Sequence, residues 1–459
     1  MSTESTDYTD CEGIFMKHYR RLSFIFCILL AAASCVLPVQ ALDYTEAALE
    51  RQALPVESNA CEGWPEGPLV TARAAILMDA DTGVVLYSKN IHEQLYPAST
   101  TKLMTALLAI ENCDLTEEVV MTNSALASVP SDGSRMGIKI GEKLTMEQAL
   151  YALLVQSANE VAYAIGEHIS VSERAFAEKM TNRAIELGCK NTVFKNASGL
   201  NNDDHLTTAY DLALIGREFF SHEFLAQAAS TTSYKLSAEE GVHGTYNMST
   251  KNLLYKGKEY EYPYLIGSKT GYLSVAGQTL VSCAEKDGMR LICVVLFEDN
   301  PYQYIDTVSL FDYGFENFSY LELSAGILEH FGDDGAFLIE DTPKLVVPNG
   351  ILLTDLTKEM DTTDAAAGYV RIHYKYHDTS VGDITISKNS GFIPPDTTDS
   401  SHPIYINVIY LVTILLGFTV ALNILVYLTN ALRQLNITPS GPKRRRPRRK
   451  FSAKGNDRW

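Results

Sequence analysis

The feature that most constrains this chain is an uncharged apolar segment near its C-terminus. Residues 404–428, IYINVIYLVTILLGFTVALNILVYL, form a run of 25 residues without a charged side chain. A helix that crosses a bilayer needs about 20 predominantly apolar residues, so this segment can span a membrane with some tilt. A buried helix in a soluble core is the alternative, but few soluble helices of this length are uncharged on every face. We therefore predict a single C-terminal transmembrane helix.

The basic residues that follow this segment predict its orientation. Residues 433–459 contain ten Lys/Arg and one Asp, a net charge of +9, although the whole chain has a net charge of −18. Basic flanking segments stay on the cytoplasmic side of a membrane. We expect a cytoplasmic tail and a large acidic extracytoplasmic part, with single-pass attachment to the cell membrane. An acidic body of this kind argues against nucleic acid as a partner.

The N-terminus also indicates export. Residues 16–41, MKHYRRLSFIFCILLAAASCVLPVQA, show a basic start, an apolar core and small residues at a predicted cleavage site after Ala41. The alternative is a retained membrane anchor. Translation can start at Met1 or at Met16.

The cysteines predict no disulfide framework. Five cysteines follow the predicted cleavage site, an odd and scattered set. Cys283 and Cys293 flank a predicted two-residue turn at Asp287-Gly288, which places them one register position apart on opposite faces of a hairpin. We expect them to be buried and unpaired.

The apolar periodicity after residue 68 predicts mixed layers of helix and sheet. Two strand-like runs bracket a turn at residues 81–83, and helical periodicity follows over 99–112, 144–169, 172–187 and 207–220. Residues 265–297 then change to β-branched strands broken by glycine, and a helix at 301–318 closes the unit. This order favours an α/β architecture with α+β layers and an antiparallel sheet.

The residues between this unit and the membrane segment have a different pattern. Short apolar runs at 336–340, 344–348, 369–376 and 383–388, separated by turn residues, predict a small β-rich domain, and a Pro- and Ser-containing linker follows it. The predicted organisation is a signal peptide (1–41), a lead segment (42–68), a catalytic domain (69–322), a β-rich domain (323–390), a linker (391–403), a transmembrane helix (404–428) and a basic tail (429–459).

A serine and a lysine at the start of the first predicted helix carry the first chemical signal. Ser99 and Lys102 are three residues apart, so they share one face of the helix. Ser99 lies where backbone amides and the positive end of the helix dipole are free. A desolvated lysine loses its proton more readily and can then accept that of a serine. The spacing alone is weak, because Ser440 and Lys443 repeat it in the basic tail.

Two further polar groups appear later in the chain. Ser157 and Asn159 lie inside the apolar helical zone 144–169, where buried polar groups need partners. Lys269, Thr270 and Gly271 begin a strand-like run, and a lysine and a hydroxyl at a strand edge can hold a carboxylate. Taken singly, Ser157 and Asn159 are also compatible with a helix cap or a hydrogen-bonded core amide. Residues 269–271 are also compatible with an exposed turn.

The three groups occur in the order Ser-x-x-Lys, Ser-x-Asn and Lys-Thr-Gly, the pattern of class A β-lactamases and penicillin-binding proteins, with Ala158 in place of Asp. Over residues 70–320 the chain resembles the low-molecular-mass penicillin-binding proteins, which are serine-type D-alanyl-D-alanine carboxypeptidases of peptidase family S11. The resemblance implies a penicillin-binding-protein/serine β-lactamase-like fold with a helical subdomain, peptidoglycan stem peptides as substrate and β-lactam antibiotics as covalent inhibitors. No cofactor is implied.

The resemblance also implies a role for each residue of the pattern. Ser99 would be the nucleophile, and Lys102 its general base. Ser157 would relay protons to the leaving group, and Asn159 would position Lys102 and the peptide. Four residues would bind substrate. Lys269 and Thr270 would hold its terminal carboxylate, and Gly271 would leave room for that group. The backbone amide of Tyr272 would form the oxyanion hole together with that of Ser99.

Two other functions remain as alternatives. A β-lactamase of class A would need a Glu-x-x-Leu-Asn loop, which does not occur between residues 159 and 269. A catalytically idle protein that binds peptidoglycan is the second alternative, and the intact polar groups count against it. His205 is predicted to have a structural role rather than to act as a base. No His-Glu-x-x-His spacing occurs, so we predict no metal site.

Overall fold

The computed structural model describes residues 45–323, 337–339, 344–361, 363 and 369–388. The predicted signal peptide, linker, transmembrane helix and basic tail lie outside the described residues and stay predictions. Among the helices that are described, none is both long and apolar enough to cross a membrane.

The described residues contain the predicted succession of a strand pair, helices, strands and a closing helix, together with several short strands and helices that were not predicted. The strands are β1 (Ala74–Asp79), β2 (Val85–Lys89), β3 (Glu118–Val120), β4 (Lys143–Thr145), β5 (Ser233–Leu236), β6 (Tyr246–Ser249), β7 (Leu265–Leu273), β8 (Gly277–Lys286), β9 (Met289–Glu298), β10 (Phe318–Glu322), β11 (Phe337–Ile339), β12 (Lys344–Pro348), β13 (Thr357–Asp361), β14 (Tyr369–Tyr376) and β15 (Thr379–Lys388). The helices are α1 (Glu46–Gln52), α2 (Lys102–Asn112), α3 (Asn123–Ala127), α4 (Met146–Val155), α5 (Asn159–Ile169), α6 (Glu173–Glu186), α7 (Ala209–Ser221), α8 (Glu223–Ser230) and α9 (Tyr302–Asn317).

A five-stranded antiparallel sheet lies at the centre, with the strand order β2-β1-β9-β8-β7. The predicted reversal at 81–83 joins β1 to β2, and Gly83 adopts the left-handed conformation there (φ +76°). The predicted turn between β8 and β9 is also confirmed, since Lys286 pairs with Met289 across it. Strand β7 lies at the sheet edge, beside the 3-10 turn that precedes α2.

The β8–β9 hairpin confirms the prediction for its two cysteines. Cys283 pairs with Ile292 and Cys293 with Ser282, so the cysteines lie one register position apart. Cys283 contributes to the core on one face of the sheet and Cys293 to the core on the other. Both are free, as are the other cysteines of the described residues, Cys61, Cys113 and Cys189.

Helices α2, α4, α5, α7 and α8 form a layer on one face of the sheet. Their apolar faces pack with the side chains that β1, β8 and β9 direct to that side, such as Ile76 and Val281. Leu103 and Leu107, one helical turn apart on α2, are fully buried there, and each such side chain stabilises the fold by about 2 kcal/mol. Helix α8 of this layer and the 3-10 turn that leads into α2 both contact the edge strand β7.

The helical zone 144–169 is not continuous, and the prediction was wrong on this point. Helix α4 starts with a capping box, in which Thr145 Oγ1 accepts from the N–H of Gln148 and Gln148 Oε1 from that of Thr145 (3.2 and 3.0 Å). It ends at Val155, and α5 begins at Asn159. Between them Ser157 has φ +58°, a left-handed conformation that periodicity does not reveal.

The other face of the sheet is covered by α9 and by the β-rich residues. Leu77 and Phe311 are fully buried there, in the same core as Leu345 and Ile372. Strand β10 pairs with β12, and β11, β15, β14 and β13 form a separate sheet. The strands predicted at 344–348, 369–376 and 383–388 are present, and β11 lies within the run predicted at 336–340. Strand β13 was missed because its sequence, TKEMD, does not alternate between apolar and polar residues.

Candidate active site

Ser99 lies in a 3-10 turn, Ala98–Thr101, that leads directly into α2. The α-helix itself begins at Lys102, three residues later than the periodicity predicts. Ala98 has φ +48°, an uncommon conformation for a residue with a Cβ. Ser99 is half-buried at the N-terminal end of the helix, where the dipole favours developing negative charge.

The Ala98 conformation depends on a close contact with Gly199. A Cβ at Gly199 would lie 1.8 Å from the carbonyl oxygen of Ala98, and Gly199 has φ +82°. No other residue fits at this position without moving the turn that carries Ser99.

The turn that contains Gly199 is shaped by Asn196. Asn196 Oδ1 accepts hydrogen bonds from the backbone N–H groups of Ser198 (3.1 Å) and Gly199 (2.7 Å), and its Nδ2 donates to the Leu200 carbonyl at 2.9 Å. This arrangement directs the carbonyl oxygen of Ser198 to the interior, where Lys102 donates to it.

Lys102 is fully buried, and its Nζ contacts three oxygen atoms. It lies 2.9 Å from Ser99 Oγ, 2.7 Å from Asn159 Oδ1 and 2.7 Å from the Ser198 carbonyl. Burial, and next the positive charge of Lys269, lower the pKa of Lys102 well below its ordinary value. A neutral amine at hydrogen-bond distance from a serine hydroxyl is suited to accept its proton.

The break between α4 and α5 places Ser157 and Asn159 in the same site. Asn159 is 4% exposed and begins α5, with its backbone N–H donating to the Ser134 carbonyl at 3.0 Å. Its side chain contacts Lys102, whereas Ser157 Oγ accepts a hydrogen bond from Lys269 Nζ at 3.0 Å. The left-handed turn at Ser157 thus connects both lysines to one short segment.

Lys269 lies on the edge strand β7 and is 2% exposed. Its Nζ also donates to the Thr270 carbonyl at 2.8 Å, and burial lowers its pKa to about 7. A Cβ at Gly271 would lie 2.8 Å from the backbone nitrogen of Ser99, so the absent side chain lets the strand approach the nucleophile. Tyr272 is 62% exposed at the mouth of the site.

Two cavities adjoin these residues. The larger, of about 850 Å³, is lined by Ser99, Asn159 and Tyr272. The smaller, of about 70 Å³, is lined by Ser157, Lys269 and Thr270, among others. The structure therefore brings all of the predicted site residues together: Ser99, Lys102, Ser157, Asn159, Lys269, Thr270, Gly271 and Tyr272.

The sequence reasoning missed two groups at this site. Ser198 contributes its carbonyl oxygen to Lys102, and Glu160 is buried next to Asn159 with its charge acting on Lys102. Backbone carbonyls carry no residue signature. A charged residue directly after Asn159, followed by the apolar run 161–166, was a signal that could have been used.

His205 has the predicted structural surroundings. Its Nδ1 accepts from the Lys195 N–H (3.3 Å) and its Nε2 lies 2.9 Å from Thr101 Oγ1. Burial, together with the charges of Lys195 and Lys102, lowers its pKa to about 3, so it is neutral at physiological pH. A neutral ring that uses both nitrogens in this way supports the serine turn.

Two groups of side chains in the described part of the chain have a spacing that could hold a metal ion. Neither includes a residue of the site around Ser99. They are Cys113, Glu117 and His168, and Glu111, Glu218 and His222.

Known proteins resemble this chain in sequence and in fold. The chain is 36% identical over 252 residues to the D-alanyl-D-alanine carboxypeptidase DacF of Bacillus subtilis, across 54% of this chain and 63% of the relative. It is 31% identical over 257 residues to DacB2 of Mycobacterium tuberculosis, across 55% and 84%. Penicillin-binding protein 6B of Escherichia coli has a similar fold, with a TM-score of 0.56 at 24% identity, across 71% of this chain and 97% of that one.

A mutant of a Streptomyces DD-transpeptidase matches with a TM-score of 0.51 and 27% identity, across 54% of this chain and 99% of that one. The family model for D-alanyl-D-alanine carboxypeptidases, peptidase family S11, matches residues 63–300. The chain belongs to this family. The matched region contains every residue of the site described above.

Proposed function

We propose that this protein is a serine-type D-Ala-D-Ala carboxypeptidase that removes the terminal D-alanine from peptidoglycan stem pentapeptides. The observation that carries the proposal is the fully buried Lys102, with its Nζ 2.9 Å from Ser99 Oγ. Membership of the family adds independent support.

In the first half-reaction Lys102 accepts the Ser99 proton, and Ser99 Oγ attacks the carbonyl carbon of the penultimate D-alanine. The oxyanion accepts hydrogen bonds from the backbone N–H groups of Ser99 and Tyr272, a contribution of several kcal/mol in such sites. The C–N bond then breaks, and the proton that Lys102 took from Ser99 passes through the Ser157 hydroxyl to the leaving amine, which leaves Lys102 neutral again. Terminal D-alanine departs, and an ester of Ser99 remains.

In the second half-reaction water attacks the ester carbonyl and releases the shortened peptide. Lys102 accepts a proton from the water, and Ser99 Oγ takes one back as it leaves. A β-lactam presents a strained amide in place of the D-Ala-D-Ala bond, so it acylates Ser99 by the first half-reaction alone.

The two buried lysines have different tasks. Lys269 in its charged form pairs with the terminal carboxylate, together with the hydroxyl of Thr270. Its charge also lowers the pKa of Lys102, which favours the neutral amine that the base requires. Substrate binding and activation of the nucleophile are therefore linked through one electrostatic interaction.

The test is to incubate the full-length protein in detergent with a fluorescent penicillin and, separately, with a diacetyl-L-Lys-D-Ala-D-Ala peptide. Durable labelling together with D-alanine release supports the proposal. Rapid turnover of penicillin without D-alanine release would indicate a β-lactamase, and a folded protein that does neither would indicate an idle relative. Ser99→Ala should abolish labelling and leave the thermal unfolding temperature nearly unchanged.

We also propose that residues 404–428 anchor the protein, with the catalytic residues outside the cell and the tail in the cytoplasm. The uncharged segment and the basic residues after it support this arrangement. Cell fractionation should recover the protein in membranes, and a chain that ends at residue 403 should be released from them. Recovery of both in the same soluble fraction would overturn this proposal.

A further inference from the structure

One loop contributes several of the residues that line the larger cavity. Residues 128–137 belong to the segment that connects α3 to β4, and Pro130, Asp132 and Ser134 of this loop line the cavity with Ser99. Any displacement of this loop changes the wall against which a substrate lies. What holds the loop therefore matters for the site.

The loop is bonded to the turn between α4 and α5. Ser134 Oγ donates to the Gln156 carbonyl at 2.9 Å, and Gln156 Nε2 donates to the Arg135 carbonyl at 3.3 Å. The Asn159 N–H donates to the Ser134 carbonyl at 3.0 Å. The cavity wall and the Ser157–Asn159 segment thus form one connected unit.

Glu160 completes this connection. Its side chain is 1% exposed, and Oε1 accepts from the backbone N–H groups of Met136 (2.7 Å) and Gly137 (3.1 Å). Its other oxygen, Oε2, is buried and has no hydrogen-bond partner among the described residues. Holding a loop needs only a neutral acceptor, and burying an incompletely paired carboxylate costs several kcal/mol. Holding the loop therefore does not explain why residue 160 is a glutamate rather than a neutral acceptor.

Glu160 directly follows Asn159, whose Oδ1 accepts a hydrogen bond from Lys102 Nζ at 2.7 Å, so its buried side chain belongs to the same first turn of α5 as the residue that contacts the base. The titratable groups that face Lys102 are Lys269 from β7, Glu160 from α5 and the neutral His205 from the segment before α7. Lys269 disfavours the charged form of Lys102, and Glu160 opposes that effect.

We propose that Glu160 is a positioning residue with two tasks: it fixes the loop 128–137 against the Ser157–Asn159 segment, and it supplies the negative charge that opposes Lys269 at Lys102. The second task rests on the proposed function, because it concerns the base that activates Ser99. The first task is a matter of structure and can be tested without activity.

Two substitutions separate the tasks. Glu160→Gln keeps a carbonyl oxygen for Met136 and Gly137 but removes the charge. The acid limb of the pH profile for acylation by fluorescent penicillin should then move to lower pH, because Lys102 is neutral at lower pH, while hydrogen exchange at 136 and 137 stays slow. Glu160→Ala removes both, so exchange at these amides should accelerate and acylation should slow by about tenfold or more at every pH.

The matched control is Glu142→Gln. Glu142 also accepts from loop N–H groups, those of Lys139 (2.7 Å) and Gly244 (2.8 Å), but lines neither cavity. The Glu142→Gln variant should therefore leave the pH profile of acylation unchanged.

If Glu160→Gln shows the wild-type pH profile, the charge role is overturned. If Glu160→Ala leaves exchange at 136 and 137 slow, the loop role is overturned. A wild-type protein that is never acylated would overturn the proposed function and the charge role, while the exchange result would still decide the loop role.

Discussion

Lys269 Nζ donates a hydrogen bond to Ser157 Oγ at 3.0 Å, joining residues 112 positions apart in the sequence. The bond connects the edge strand of the sheet to the turn between α4 and α5. It also places a cation next to the hydroxyl that would relay a proton to the leaving group. Because this cation is buried, its protonation is sensitive to pH in the neutral range.

The first prediction concerns that sensitivity. Burial lowers the pKa of Lys269 to about 7, so the free enzyme loses the charge that pairs with the substrate carboxylate as pH rises through 7. We expect kcat/KM for a D-Ala-D-Ala peptide to fall above this pH. Lys269→Arg should move the fall to higher pH, because a guanidinium keeps its proton. A wild-type profile that stays flat up to pH 9 would contradict this assignment.

The second prediction concerns the base. Lys102→Met removes the amine and keeps a long apolar side chain in its buried position. The rate of acylation of Ser99 by fluorescent penicillin should fall by about 10²–10⁴-fold, the range that general bases contribute. Circular dichroism should report an unchanged fold. Acylation within tenfold of the wild-type rate would mean that another group takes the proton.

The third prediction concerns the contact between Gly199 and Ala98. A Cβ at Gly199 would overlap the Ala98 carbonyl at 1.8 Å, so Gly199→Ala should lower the free energy of unfolding by more than about 3 kcal/mol and suppress penicillin labelling. Gly141 is the matched control, since it has φ +85° with no atom within 4 Å of an added Cβ. Gly141→Ala should cost only about 1 kcal/mol. If urea denaturation shows the same decrease in the free energy of unfolding for Gly199→Ala and Gly141→Ala, the contact between Gly199 and Ala98 does not contribute to stability.

The fourth prediction concerns two buried carboxyl groups behind the sheet. Glu298 is 2% exposed and lies beside Asp306, and both face Thr71, whose Oγ1 is 3.0 Å from Glu298 Oε1 and 3.2 Å from Asp306 Oδ2. Burial, and for Glu298 also the neighbouring Asp306, raises the pKa of each group above its ordinary value.

A carboxyl group whose pKa is higher in the folded state stabilises the fold at low pH and loses that contribution as pH rises towards the folded pKa. We expect the free energy of unfolding of the wild-type protein to fall between pH 5 and 8 relative to Glu298→Gln, by up to about 1.4 kcal/mol per pH unit. Urea denaturation of both proteins at each pH measures the difference. Parallel curves would show that Glu298 is ionised throughout.

The parts of the site that the sequence predicted are those with a residue signature. The spacing of three residues placed Ser99 and Lys102 together at the start of α2, although Ser99 lies in the 3-10 turn before the α-helix. The Lys-Thr-Gly pattern placed residues 269–271 on a strand. The hairpin at Asp287-Gly288 followed from turn chemistry in the same way.

The parts that were missed depend on backbone geometry or on distant packing. The break at Ser157 is a single left-handed residue inside an apolar run, and no local preference of serine predicts it. The Ser198 carbonyl reaches Lys102 only because Asn196 folds its loop and Gly199 packs on Ala98. These contacts join segments about a hundred residues apart, and one-dimensional patterns do not contain them.

The separation of Cys283 and Cys293 onto opposite faces of the sheet has a practical consequence. With every cysteine between residues 45 and 323 unpaired, the native contacts of this region are the same in a reducing and in an oxidising solution. Its folding needs no oxidant, isomerase or glutathione buffer. A thiol reductant should leave both penicillin labelling and the melting temperature of the protein as they are, so the fold does not depend on the redox state of the compartment in which it forms.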